Sequence, residues 1–168
     1  MSWLKLLVVG LSILALTSSG ALAAQATAEM KSTDGEILGT VTLTETPHGV
    51  LLFADFKRIP PGSHGFHIHE KGACSPDFKA ARGHFNPAGK GHGINHPKGS
   101  HGGDMPNIYA AADGSVKAEV LNVKVTLSSG DNSVFDSDGS AIVIHAKPDT
   151  YGAKAGAGAR IACGVIKK

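Results

Sequence analysis

Ala28-Glu29-Met30-Lys31-Ser32-Thr33-Asp34-Gly35-Glu36-Ile37-Leu38-Gly39-Thr40-Val41-Thr42-Leu43-Thr44 is the stretch that decides the fold class. Successive side chains on a strand point to opposite faces, so apolar residues at every second place mark a strand buried on one side. Ala28 and Met30 alternate with Glu29 and Lys31, and Val41 and Leu43 with Thr40, Thr42 and Thr44. Between the two runs stands Asp34-Gly35, a two-residue turn in which glycine supplies the positive φ that a tight hairpin needs. The stretch predicts two antiparallel strands, Ala28 to Thr33 and Glu36 to Thr44.

The same pattern continues outward. A third strand, Val50 to Arg58, follows the Pro47-His48-Gly49 turn and stops at Pro60-Pro61-Gly62; Gly65 to Glu70 reads as a fourth. Strands resume at Asn107 to Ala112, Ser115 to Leu127 in one or two pieces, Ser140 to Ala146, and Arg160 to Lys167. Helical periodicity is absent after the N-terminal segment. About eight antiparallel strands at this spacing predict an all-β fold, an eight-stranded Greek-key β-barrel or sandwich with long loops.

At the N-terminus, Lys5 precedes an apolar run from Leu6 to Leu16 and the small-residue stretch Ala21-Leu22-Ala23-Ala24. This is the layout of a secretory signal peptide, and its apolar core is shorter than the roughly 20 residues that span a bilayer. Cleavage is expected after Ala23, with Ala26-Thr27-Ala28 offering a second site. The chain then divides into a signal peptide, 1–23, and one domain, 24–168. The formal charge of +2 falls close to neutral once Lys5 is removed, and there is no block of like charge. Nucleic acid and membrane surfaces are therefore not expected partners of the mature chain. Cys74 and Cys163 are the only cysteines. An oxidising compartment would let them pair; two separate buried thiols is the other reading.

From Lys71 to Pro106 the sequence is rich in Gly, His, Pro and Asn and is far longer than an ordinary connection, which marks a functional or a disordered loop. Five of the nine histidines fall between His67 and His101 at places suited to ligation. His67 and His69 form His-x-His on a strand, which sends both imidazoles to one face. His84, His92 and His101, with Asp104, form three imidazoles and a carboxylate, a set that suits tetrahedral zinc. His145 ends the apolar strand Ala141-Ile142-Val143-Ile144, and a group of imidazoles of this kind suits copper(II). His64, His48 and His96 are expected outside the metal set.

Gly65-Phe66-His67-Ile68-His69-Glu70, Gly83-His84-Phe85-Asn86-Pro87 and Gly158-Ala159-Arg160-Ile161-Ala162-Cys163-Gly164-Val165-Ile166 resemble the signatures of the copper/zinc superoxide dismutases, and the similarity runs over the whole mature domain. The resemblance implies a superoxide dismutase, with copper held by His67, His69, His84 and His145, zinc by His84, His92, His101 and Asp104, and His84 bridging the two. It implies that copper takes an electron from one superoxide and gives it to the next. It further implies that Asp149 links His67 to His92, that Arg160 attracts the anionic substrate, and that Cys74 and Cys163 form a disulfide. The signal peptide ahead of a short mature chain points to a bacterial periplasm, and monomer and homodimer both stay open. A non-enzymatic protein that binds or buffers copper and zinc is the competing reading. One departure stands out: the segment from Asp149 to Arg160 is shorter than the family's electrostatic loop and lacks its glutamates. Lys154 is its only other charge, so Lys154 and Arg160 are expected to supply most of the local attraction.

Overall fold

The computed structural model describes residues 23–168; the signal peptide expected at 1–23 lies outside them apart from Ala23. Among the described residues nine strands form: β1 Gln25–Ser32, β2 Ile37–Thr46, β3 Gly49–Phe56, β4 Gly62–His64, β5 Phe66–His69, β6 Ile108–Ala110, β7 Val116–Asn122, β8 Ala141–His145 and β9 Arg160–Val165. Seven of them make one sheet in the order β5-β8-β9-β1-β2-β3-β7, and β4 pairs with β6. Every strand-to-strand pairing is antiparallel. β4 runs on into β5 and β6 turns into β7, so the small pair stands between the two ends of the large sheet and the whole curls into a Greek-key β-barrel. Of the described residues, no helix is long and apolar enough to cross a membrane.

The quoted hairpin forms as its alternation dictates. Ala28 pairs with Val41 and Met30 with Gly39, and Ala28, Met30, Val41 and Leu43 are fully buried. They meet Leu52, Phe56, Phe66, Ile68, Ile142 and Ile144 in the main core. β1 begins three residues earlier than expected because Ala26 is also buried and pairs with Leu43.

Nine strands replace the eight expected because the fourth is divided at Gly65. β4 leaves to pair with β6, while β5 pairs with β8. A Cβ at Gly65 would lie 3.0 Å from both Ala157 Cβ and His67 Cε1, so the break passes tightly beneath a copper-ligand candidate. Beyond β7 the expected second piece is lost. The Glu45 carboxylate, reaching over from β2, accepts from Thr126 Oγ1 at 3.0 Å and from the backbone N–H groups of Leu127 and Ser128, which draws donors away from a strand ladder.

Candidate metal centre

β5 and β8, adjacent in the sheet, bring His67, His69 and His145 to one place. Phe66 and Ile68 turn into the core, so His67 and His69 face the opposite side and lie beneath the long loop. That loop docks on the free edge of β5: Phe85 N–H donates to Ile68 O at 2.9 Å, and Ile68 N–H donates to Gly103 O at 3.0 Å. The docking leaves His84 beside His69 and Asp104 beside His67. Gly103 is required here, since a Cβ would lie 2.0 Å from Ile68 O.

Four imidazoles converge, those of His67, His69, His84 and His145, with one nitrogen from each within 4.8 Å of the others. Their second nitrogens settle the tautomers. His69 Nδ1 donates to the Arg82 carbonyl at 2.9 Å and His145 Nδ1 faces the Gly158 carbonyl at 3.4 Å. Both Nε2 atoms are then bare lone pairs, and they face each other at 3.4 Å. His67 Nε2 lies 2.9 Å from Asp149 Oδ2, in close contact though off the line of a good hydrogen bond. This leaves His67 Nδ1 buried with no partner. Buried lone pairs aimed at one another are unfavourable unless a cation lies between them.

Asp104 gathers the other set. Its Oδ1 lies 2.7 Å from His84 Nδ1, 3.3 Å from His101 Nδ1 and 3.7 Å from His92 Nε2. Its Oδ2 accepts from the N–H groups of Gly93 at 2.8 Å and His101 at 3.1 Å. His84, His92 and Asp104 present ligand atoms within 4.8 Å of one another, and the His101 ring lies beyond them, 5.6 Å from His84 and 5.5 Å from His92 between centroids. His101 Nδ1 too is buried without a hydrogen-bond partner. His84 thus has Nδ1 in the carboxylate set and Nε2 for the imidazole set. Asp149 Oδ2 lies between His67 Nε2 and His92 Nε2, at 2.9 and 3.0 Å, and His92 Nδ1 lies 2.7 Å from the Gly152 carbonyl.

Protonation follows the same division. Burial depresses the pKa of His67, of His69 to about 2 and of His145 to about 4, which keeps these rings neutral, as ligands must be. His101 is lowered too, chiefly by burial. Burial alone would raise Asp104 and Asp149; hydrogen bonds from His84 and the Gly93 N–H hold the first below the usual carboxylate value, and the close approach of His67 together with a hydrogen bond from the Tyr151 N–H holds the second below it. Neutral imidazoles in a four-nitrogen cluster suit copper, and histidines around a carboxylate suit zinc. The residues present fit both ions.

Arg160 opens β9 directly across from His145. Its guanidinium donates to the carbonyls of Phe78 and Arg82 and remains half-buried. Phe78 belongs to a 3₁₀ turn, Phe78–Ala81, capped by Asp77. The turn is fixed to β9 by a Cys74–Cys163 disulfide with Cα atoms 5.9 Å apart. His64 is buried, its ring nitrogens 2.7 Å from the carbonyls of Pro60 and His145. His96 Nδ1 accepts from the Lys98 N–H at 3.2 Å, away from the metal sets.

Sequence reasoning missed the Arg82 carbonyl, which accepts from both His69 and Arg160. It also missed Asn107, which exchanges two hydrogen bonds with the main chain of Asp149, and Asn122, whose buried amide donates to Gly102 O at 2.8 Å beside His101. Backbone acceptors carry no side-chain signal. The two asparagines stand at strand ends, where polar residues are common.

A curled Greek-key barrel with two neighbouring groups of side chains that could hold metals, His84 belonging to both, defines a candidate two-metal protein of the all-β class. Residues 37–166 match the model of the copper/zinc superoxide dismutase family, to which the chain belongs. A copper-zinc superoxide dismutase of Aquifex aeolicus is 48% identical over 161 residues, covering 93% of this chain and 94% of that protein. One from Caulobacter vibrioides is 49% identical over 148 residues, 84% of this chain and 85% of its own. Among solved structures, the superoxide dismutase-like protein of Bacillus subtilis superposes with a TM-score of 0.78 at 36% identity, over 83% of this chain and 96% of its own. The copper-zinc superoxide dismutase of Brucella abortus superposes with a TM-score of 0.72 at 30% identity, over 86% of this chain and all of its own.

Proposed function

We propose that this protein disproportionates superoxide: two superoxide ions and two protons give one dioxygen and one hydrogen peroxide. His67, His69, His84 and His145 would hold copper, and His84, His92, His101 and Asp104 would hold zinc. Bound copper supplies a one-electron redox couple, and zinc supplies a fixed charge that organises the loop. Arg160 draws in and orients the anion. His84, with Nδ1 committed to the carboxylate side, has Nε2 free to hold or release a proton next to the substrate.

The observation that carries this reading is the shared carbonyl of Arg82. It accepts from ligand candidate His69 and from Arg160, so a guanidinium is fixed at the edge of the imidazole cluster. A protein that only stored cations would gain nothing from a permanent positive charge there. The test is superoxide dismutation by the copper- and zinc-loaded protein beside Arg160→Ala and His145→Ala. Activity that falls in the first and nearly vanishes in the second is expected. A chain holding both metals without activity would be a metal-binding protein instead.

Export to a periplasm is part of the proposal, supported by the disulfide and the leader-like N-terminus. Removal after Ala23 is the favoured cleavage, because cutting after Ala28 would take away Ala26 and Ala28, both buried in the core. Monomer and homodimer are to be told apart by sedimentation of the metal-loaded protein.

A further inference from the structure

The segment from Asp149 to Arg160 is short, and Asp149 must nevertheless be held so that one oxygen serves two histidines. Tyr151 meets that need from an unusual backbone position, φ +63, a left-handed conformation that bulky residues rarely adopt. The conformation lets one residue reach three segments. Its N–H donates to Asp149 Oδ1 at 2.6 Å, its carbonyl accepts from the Asn95 N–H at 2.9 Å, and its hydroxyl oxygen accepts from the Asn107 N–H at 2.7 Å. Asn107 in turn brackets Asp149, donating from Nδ2 to its carbonyl at 3.0 Å and accepting its N–H on Oδ1 at 2.7 Å. Asp149 Oδ2 is left facing His67 and His92. The zinc-side loop packs against the same residue: a Cβ on Gly93 would lie 2.4 Å from Tyr151 O.

We propose that Tyr151 is a positioning residue for the metal centre: through its hydroxyl bond to Asn107 and its N–H bond to Asp149 it fixes the carboxylate that orients His92 for zinc and His67 for copper. This rests on the zinc and copper assignments above. Outer contacts that orient metal-bound histidines commonly set metal affinity within a factor of about 10–100.

Tyr151→Phe removes the acceptor oxygen and keeps the ring. Zinc is titrated into the metal-free wild type and variant against a chelating indicator, cobalt(II) absorption at the same site is recorded, and the melting temperature of the metal-free proteins is measured. Expected are zinc binding about tenfold weaker in the variant and an altered cobalt spectrum. Tyr109→Phe, which removes an exposed hydroxyl, should change neither. Equal zinc affinity with an unchanged spectrum overturns the proposal. So does a weaker affinity that only tracks a drop in metal-free stability while the spectrum stays the same. A wild-type chain that takes up no zinc would bring down the zinc assignment as well; normal wild-type binding with an indifferent variant sinks the role of Tyr151 alone.

Discussion

Arg82 occupies a backbone region, φ 60 and ψ −140, that suits glycine. Its N–H caps the 3₁₀ turn on Lys79 O, and this sharp reversal aims its carbonyl at His69 and Arg160. Strain is therefore stored where the fold joins ligand candidate His69 to Arg160. Arg82→Gly should stabilise the metal-free protein by about 1 kcal/mol, the relief of strain being partly offset by the greater freedom of glycine when unfolded. Urea unfolding measures this, and a destabilised variant would mean that the arginine side chain contributes more than the backbone loses. At this scale the sequence was legible in side chains and mute in main chain. His67, His69, His84, His92, His101 and His145 could all be named from spacing and motif. The carbonyl of Arg82 could not, because nothing in an arginine announces a left-handed backbone.

β5 and β8 show why elements were legible and their edges were not. The sequence alternates Phe66 and Ile68 with His67 and His69, yet all four are buried, because the core covers one face and the metal loop the other. β8 is likewise buried throughout. Alternation identifies a strand; it does not say what lies over its polar face. The division at Gly65 and the diversion of Thr126 to Glu45 both arise from tertiary partners far away in the chain, so no local pattern signals them. Gly103 is the point where loop and strand come closest. Gly103→Ala should destabilise the fold by about 3 kcal/mol or more, since the new methyl would meet the Ile68 carbonyl and separate Asp104 from His67. Denaturant unfolding tests it; a wild-type midpoint would show that the loop can back away without loss.

Across the whole molecule, a long-range covalent tie compensates for the irregular loops. The disulfide joins residues 89 apart, and in the loop-entropy view such a bridge stabilises by about 4–5 kcal/mol. Arg160 lies at the edge of the imidazole cluster and Lys154 is exposed on the short loop, and both are expected to draw in the anion. Lys154→Gln should therefore flatten the fall of the dismutation rate with ionic strength; an unchanged salt dependence would remove Lys154 from substrate attraction. The docking of the long loop on β5 has a consequence for the protein in concentrated solution. β5 is the terminal strand of the seven-stranded sheet, and the segments around Phe85 and Gly103 occupy hydrogen-bonding groups on its outer edge. Metal ions that bind loop and barrel together would keep this edge closed. Stripped of them, the loop can lift and leave a row of unpaired amides and carbonyls open to another chain, the usual route to edge-to-edge aggregation. Light scattering on warming should rise earlier for chelator-treated protein than for the zinc-loaded form, and coincident curves would mean that the loop guards the edge unaided.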